Sequence, residues 1–249
     1  MPRLLPPEVK EVLISKIKQG DSINSISKSL GLWKSTIYHH YKKVRGKLYQ
    51  PPHFITEASE KEGEIVGIFA GDGSQFFEPK KFNYEVNVHF GGHKQAYAEY
   101  VKTLFERYFN KKFRLNKEKA GTLRLRTQSK AIFNYFSQYI SYQPQIKHCT
   151  VYLKNLNLPI GFKIGFLRGL IDTDGSVLSK KGKTYNITYY TTSNMLANQI
   201  QFLLWERDII SSTYRICQKH YKPIYHVRVL SRSIGTFLKT IQPFKAMGR

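Results

Sequence analysis

Two short stretches place acids where they could do chemistry. Asp72-Gly73-Ser74 and Asp174-Gly175-Ser176 recur 102 residues apart, each closing an apolar, glycine-spaced run. Gly63, Gly67 and Gly71 are four apart, as are Gly165, Gly169 and Thr173. Residues four apart share one ridge of a helix, and glycine inside a helix costs about 1 kcal/mol relative to alanine. A row of them needs a compensating gain, which close approach of a second backbone supplies. The natural partner is the other copy, so the two helices are expected to pack side by side between two halves of the chain. Asp72 and Asp174 then meet near helix C-termini, where partial negative charge disfavours an acid and each disfavours the other. A divalent cation held by oxygen ligands and bridging phosphates resolves the conflict. Taken singly, either Asp-Gly is a turn with Gly73 or Gly175 as a left-handed cap. Two in register, each ending a glycine-ridged helix, favour the metal.

The elements that would position these acids repeat as well. Gly63–Ser74 aligns with Gly165–Ser176, and Leu104-Phe105-Glu106-Arg107 with Leu204-Trp205-Glu206-Arg207, so Lys61–Arg249 reads as two homologous halves. Each half gives the order α-β-β-α-β-β-α. Strands are expected over Ser74–Phe77, Lys81–Phe90, Phe113–Lys117 and Thr122–Thr127, then over Ser176–Leu178, Thr184–Thr191, Thr213–Lys219 and Ile224–Leu230. Lys81–Phe90 alternates strictly, with Lys81, Asn83, Glu85, Asn87 and His89 polar and the even positions apolar, so one face is buried and one presented. Arg124 and Arg126 alternate with leucines in the same way, and His226 and Arg228 with Tyr225, Val227 and Val229. Arg215 and Lys219 share a face. Such polar, basic sheet faces suit base-edge and phosphate contacts.

The N-terminal stretch is separate. Helices are expected over Glu8–Lys18, Ser22–Leu30 and Trp33–Lys47, broken at Gly20-Asp21 and Gly31. A short helix, a glycine turn and a basic second helix make a helix-turn-helix pattern. The second helix presents Lys34, Ser35, Thr36, His39, Lys42, Lys43 and Arg45, side-chain types that reach base edges and phosphates. The organisation expected is a helix-turn-helix domain over 1–47, a linker with Pro51-Pro52 over 48–60, one half over 61–160 and a second over 161–249.

Composition supports a polyanionic partner. The chain has 249 residues, 40 Lys+Arg against 17 Asp+Glu and a formal net charge of +23, a field suited to phosphate backbones. At 41% hydrophobic residues it can bury real cores, which excludes global disorder. No run approaches the length of a spanning helix and no signal-peptide core opens the chain. Two cysteines, Cys149 and Cys217, exclude a disulfide framework or four-thiolate zinc site. An intracellular protein without membrane attachment is expected.

Leu167-Arg168-Gly169-Leu170-Ile171-Asp172-Thr173-Asp174-Gly175 closely resembles the LAGLIDADG motif, and Ile65-Val66-Gly67-Ile68-Phe69-Ala70-Gly71-Asp72-Gly73 is a looser copy with alanine at the first acid. Over Lys61–Arg249 the chain resembles the monomeric, two-motif LAGLIDADG homing endonucleases. The resemblance implies an α+β fold, with two pseudo-symmetric halves and saddle-shaped antiparallel sheets, beside the small all-α N-terminal domain. It implies sequence-specific hydrolysis of double-stranded DNA at a long asymmetric site by a monomer, with Mg²⁺ or Mn²⁺ at Asp72 and Asp174. The cut would cross the minor groove and leave short 3′ overhangs. Main-chain carbonyls of Gly71 and Thr173 could also face the metal. Lys147 and Lys245 are the nearest candidates for the basic residue that the family uses after the last helix of each half. His93 and Thr192 lie where the family carries polar active-site residues. Loss of the first acid at Ala70 should matter little. The resemblance fits an intron-encoded or free-standing enzyme. An intein is not expected, because Met1 opens the chain and Gly248-Arg249 closes it. The same basic scaffold also suits a non-cleaving DNA-binding regulator, or an intron maturase acting on RNA.

Overall fold

Helix ends follow the glycines. In the computed structural model, which describes residues 5–46, 57–118, 121–217 and 222–246, the chain divides into two units, residues 1–51 and 52–249. The first holds α1 (Pro7–Gln19), α2 (Ile23–Leu30) and α3 (Lys34–Arg45). Gly20 (φ 97°) and Gly31 (φ 63°) end α1 and α2 in the left-handed conformation that glycine adopts without strain. The Ser22 hydroxyl caps α2 by accepting the Ser25 N–H at 3.1 Å. Ser27 donates its hydroxyl to the Leu32 carbonyl at 2.8 Å, fixing the turn into α3. Leu13, Ile17, Ile26 and Ile37 form the buried centre. Most of the expected linker lies outside the described residues.

The second unit opens with α4 (Glu60–Asp72), β1 (Gly73–Glu78), β2 (Asn83–Phe90), α5 (Gln95–Phe109), β3 (Arg114–Lys117), β4 (Leu123–Gln128) and α6 (Lys130–Tyr139). A connector follows: β5 (Ile140–Ser141), α7 (Lys147–Thr150) and β6 (Tyr152–Leu153). Then the order repeats as α8 (Ile160–Asp174), β7 (Gly175–Lys180), β8 (Lys183–Thr191), α9 (Asn194–Trp205), β9 (Ser211–Ile216), β10 (Ile224–Val229) and α10 (Ile234–Ile241). The two four-stranded antiparallel sheets have equivalent orders, β1-β2-β4-β3 and β7-β8-β10-β9. This is an α+β fold of two like halves, with helices on one face of each sheet. Among the described residues no helix is long and apolar enough to cross a membrane.

One strand starts later than its alternation suggests. Pro79 opens a 3-10 turn over Pro79–Lys81, and Phe82 follows with left-handed backbone (φ 48°), so β2 begins at Asn83. Proline fixes its own φ and donates no ladder hydrogen bond. Lys81 therefore sits in the turn, paired with Glu78 at 3.2 Å, and not on the polar face of the strand.

The halves meet along α4 and α8, and their contact is main chain on main chain. A Cβ on Gly63 would lie 2.7 Å from the Phe162 carbonyl carbon, one on Gly165 2.7 Å from the Glu64 nitrogen, and one on Gly169 2.8 Å from the Gly67 carbonyl carbon. Real Cβ atoms do not come so close, so the repeated glycines are what permits this pairing. At one flank Arg168 of α8 bridges to Glu60 and Glu64 of α4 and donates to the Ile241 carbonyl at 2.7 Å. Glu64 also accepts the Tyr100 hydroxyl at 2.6 Å, which supplies a further partner for a buried acid.

Candidate active site and nucleic-acid interface

The side-by-side helices bring Asp72 and Asp174 together at their shared end. A Cβ on Gly71 would stand 3.0 Å from the Asp174 Oδ2, so the second acid lies against the last turn of the first helix. Gly73 and Gly175 are not left-handed caps. Their φ values are −80° and −93°, with extended ψ, and each is the first residue of a strand. Glycine is needed there because a Cβ would run into Phe69 or Ile171 of the preceding turn.

Neither Asp72 nor Asp174 receives a hydrogen bond from a described residue. Crowding by surrounding protein raises the Asp72 pKa, opposed by the charges of Lys94, Lys147, Lys245 and His89. The same crowding, then the Asp72 charge, pushes Asp174 up to about 6. Asp174 nevertheless remains open to solvent at its rim position. Two close, unpartnered carboxylates suit a divalent cation. Among the described residues no group of three or more His, Cys, Asp or Glu could hold one alone. Water and phosphate oxygens would complete the shell, as Mg²⁺ ordinarily requires.

Lys147 and Lys245 stand in matching places. Lys147 Nζ donates to the carbonyls of Phe69 (2.8 Å), Ala70 (2.7 Å), Gly71 (3.0 Å) and Gly73 (2.7 Å). Lys245 Nζ donates to Ile171 (3.0 Å), Thr173 (3.3 Å) and Gly175 (2.5 Å). Each ammonium thus caps the C-terminal, partially negative end of a motif helix, where a cation is favoured. Burial lowers both pKa values to about 8, opposed at Lys147 by Asp174 and Asp72 and reinforced at Lys245 by Lys94. The carbonyls of Gly71 and Thr173, expected to face metal, instead face these ammonium groups. A cation at those carbonyls would meet like charge, which leaves the two carboxylates as the groups that could face one.

Lys94 joins the site from the start of α5. It is the N-cap position of α5, and its charge acts on both acids. Its counterpart in the second half is Ser193, which caps α9 by accepting the Leu196 N–H at 3.2 Å. A lysine at that cap breaks the pseudo-symmetry, and the repeat alignment alone carries no signal for it. His93 is exposed beside Lys94. Thr192 donates to the His148 carbonyl at 2.7 Å. Thr192 and His148 help line a cavity of about 340 Å³ that reaches Asp174, Gly71 and Tyr190.

Strand register sorts the polar faces. Asn87 pairs with Ser74 and Arg126, and His89 with Arg124. Arg126 and Arg124 in turn oppose Arg114 and Asn116 of β3. Asn83, His89, Arg124 and Arg126 thus share one face, joined by Arg114 and Asn116, which only the register of β3 places there. Asn87 is on that face but only 5% exposed, with its Oδ1 unpartnered. Its neighbours cover it, so it does not stand out for contact as expected. Glu85 holds Arg126 at 2.6 Å, and Glu118 lies 3.0 Å from the Arg124 Nε without a hydrogen bond to it.

In the second half His226 pairs with Tyr190 and Tyr214, and Arg228 with Thr188 and Ser212. Arg215 pairs with Tyr225 and so lies on the opposite side of the sheet from His226 and Arg228, exposed near the end of β9 and not on their polar face as expected. The polar-face residues of β9 are Ser212, Tyr214 and Ile216, which do not look basic in sequence. Lys219 lies outside the described residues. In the N-terminal unit Lys34, Ser35, His39, Lys42 and Lys43 are exposed on α3, and Thr36 is half-buried. Arg45 reaches back to the Lys18 carbonyl at 3.0 Å. Trp33, just before α3, is 81% exposed.

Comparison with known proteins agrees with this fold. Residues 161–242 match the LAGLIDADG-like domain model. I-DmoI in complex with DNA and Mn superposes with a TM-score of 0.58 at 16% identity, covering 74% of this chain and 97% of that one. The homing endonuclease I-WcaI bound to its DNA recognition sequence gives 0.50 at 16% identity, covering 88% and 92%. The ATP-dependent DNA helicase Hel308 of Thermococcus kodakarensis is 25% identical over 210 residues, 81% of this chain. The chain spans only 18% of that helicase's length. Residues 161–242 are thus a LAGLIDADG-like domain, set in a body that has the fold of the homing endonucleases I-DmoI and I-WcaI.

Proposed function

We propose that this chain is a divalent-metal-dependent, sequence-specific endonuclease that cuts both strands of duplex DNA. The observation that carries the reading is the meeting of Asp72 and Asp174 at paired helix ends, flanked by two sheets with polar faces. Asp72 and Asp174 would hold Mg²⁺ or Mn²⁺. A divalent ion there supplies Lewis-acid stabilisation of phosphate charge and a more acidic bound water. I-DmoI has been observed with DNA and either Mn or Ca, which supports that metal class.

The chain's own groups do the rest. The ammonium groups of Lys147 and Lys245 hold the ends of α4 and α8, and with them the spacing of the acids. They also place positive charge beside the scissile phosphates. Arg114, Arg124, Arg126, His226 and Arg228 orient the duplex through base edges and phosphates. The exposed basic residues of α3 would add a further DNA contact. Pseudo-symmetric halves with different side chains at matching positions suit a long asymmetric site read by a monomer.

The test is cleavage of a plasmid carrying the uninterrupted version of the gene's own insertion locus, with Mg²⁺, with EDTA, and with the Asp174→Asn variant. A single metal-dependent linear product, lost in the variant, is the expected result. Tight, salt-sensitive binding with no cut in Mg²⁺ or Mn²⁺ would replace the nuclease with a DNA-binding regulator.

A further inference from the structure

The two motifs differ at one buried position. Asp172 stands where the first motif has Ala70. It is 1% exposed, and it is neither of the paired acids. Its Oδ2 accepts the Phe244 main-chain N–H at 2.9 Å, and its Oδ1 accepts the Lys245 N–H at 3.0 Å. Both carboxylate oxygens are thus spent on the two residues that deliver the Lys245 side chain to the end of α8.

Among the described residues, the segment bearing Lys245 has few other anchors. Gln242 leaves α10 in left-handed conformation (φ 51°), and Phe244–Ala246 form a single 3-10 turn. The Phe244 ring rests on Tyr97 and Tyr100 of the first half, with centroids 5.1 and 5.2 Å away. Lys147 is held otherwise. Its short helix α7 is enclosed by β5 and β6, whose pairing of Ile140 with Leu153 and Ser141 with Tyr152 closes the connector on itself. Ala70 carries no acceptor, so the side chain at that position does not hold the Lys147 main chain. Ala70 also shows that a motif helix of this geometry forms without one.

We infer that Asp172 is a positioning residue for Lys245, acting through the Phe244 and Lys245 main chain, and that the first half sets Lys147 without such a device. The two lysines are therefore held by unequal means, and loss of Asp172 affects one strand of the substrate. The effect on cleavage rests on the nuclease reading; the positioning does not.

The experiment follows both strands of an end-labelled duplex selected by this protein from a randomised library. Asp172→Ala is expected to slow one strand by roughly tenfold to hundredfold, the range for outer-shell partners of catalytic groups, while the other stays within about twofold. The slowed strand must be the one that Lys245→Met also slows. The double variant should be no slower than Lys245→Met alone, as for residues acting through one another. Asp172→Asn, which keeps one acceptor oxygen, should fall between. Equal slowing of both strands, or slowing of the strand that Lys245→Met spares, overturns the assignment. If the wild-type protein cuts neither strand, the nuclease reading fails, and amide hydrogen exchange decides the positioning. Asp172→Ala should then deprotect the Phe244 and Lys245 amides; unchanged protection overturns the inference.

Discussion

Lys147 Nζ donates to the carbonyl of Gly73 at 2.7 Å, one residue beyond Asp72. Lys245 repeats the relationship at Gly175, one residue beyond Asp174. A cation beside each acid lowers the cost of two carboxylates at two negative helix ends. It also accounts for lysines depressed to about pKa 8 that are nonetheless retained.

Replacing Lys147 by methionine removes the ammonium and leaves carbonyls at a buried helix end without their donor. Each such group costs about 1–3 kcal/mol when left unsatisfied, so the expected loss in urea unfolding is at least that of one group. Cleavage should fall by about a hundredfold or more, the scale of losing one preorganised electrostatic partner. DNA binding in Ca²⁺ should persist. Full cleavage by Lys147→Met would refute a role for this side chain at the site.

Glycine substitutions should separate the helix interface from its surroundings. Gly67→Ala and Gly169→Ala place a methyl against main chain that cannot move away. Overpacking of this kind costs about 1–3 kcal/mol or more. Gly161→Ala meets nothing nearer than 3.6 Å and should shift stability by less than about 0.5 kcal/mol. Equal thermal midpoints for all three would contradict main-chain contact between α4 and α8.

The acids predict how stability responds to pH with divalent ions chelated. Asp172 and Asp174 titrate near pH 6 when folded and near 3.8 otherwise. A raised folded pKa means that their contribution is full below the unfolded value and is lost as pH rises through about 6. The lysines shift stability only between about pH 8 and 10.5. In EDTA, the melting temperature of the wild type relative to Asp174→Asn should therefore fall from pH 5 to pH 7. Mg²⁺ should restore it at pH 7.5 and do less at pH 5. A flat difference across that window would show that Asp174 is not strained.

The two sheet faces predict unlike half-sites. His89, Arg124 and Asn116 oppose one another in the first sheet, where the second sheet has Tyr190, His226 and Tyr214. Arginine pairs bidentately with guanine, whereas aromatic and aliphatic groups favour thymine methyls and stacking. In a selection from random duplexes, Arg124→Ala should relax a guanine preference in one half-site only. Tyr214→Ala should leave that guanine unchanged and weaken the other half-site. Loss of both preferences in either variant would mean that the halves do not read independently.

Much of this was legible from spacing. The glycine ridges gave away the helix pair because no other contact needs three small residues in a row at intervals of four. The α-β-β-α-β-β-α order followed from period-two alternation between apolar helical runs. What stayed hidden depended on neighbours that sequence does not reveal. Arg215 looked like part of a basic face, but β9 pairs in the register that presents Tyr214 and Ile216. Lys81 looked like a strand residue, yet Pro79 starts a turn first. Lys94 gave no signal because its importance lies in where two acids from elsewhere in the chain converge.

The pairing of α4 with α8 rests on bare backbone. A contact set by side chains changes its spacing whenever those side chains change size. Here the gauge is the thickness of the polypeptide itself, which mutation elsewhere cannot alter. The separation of Asp72 and Asp174 is thereby insulated from drift in either sheet. Each sheet is free to change its side chains while the distance between the two acids stays constant.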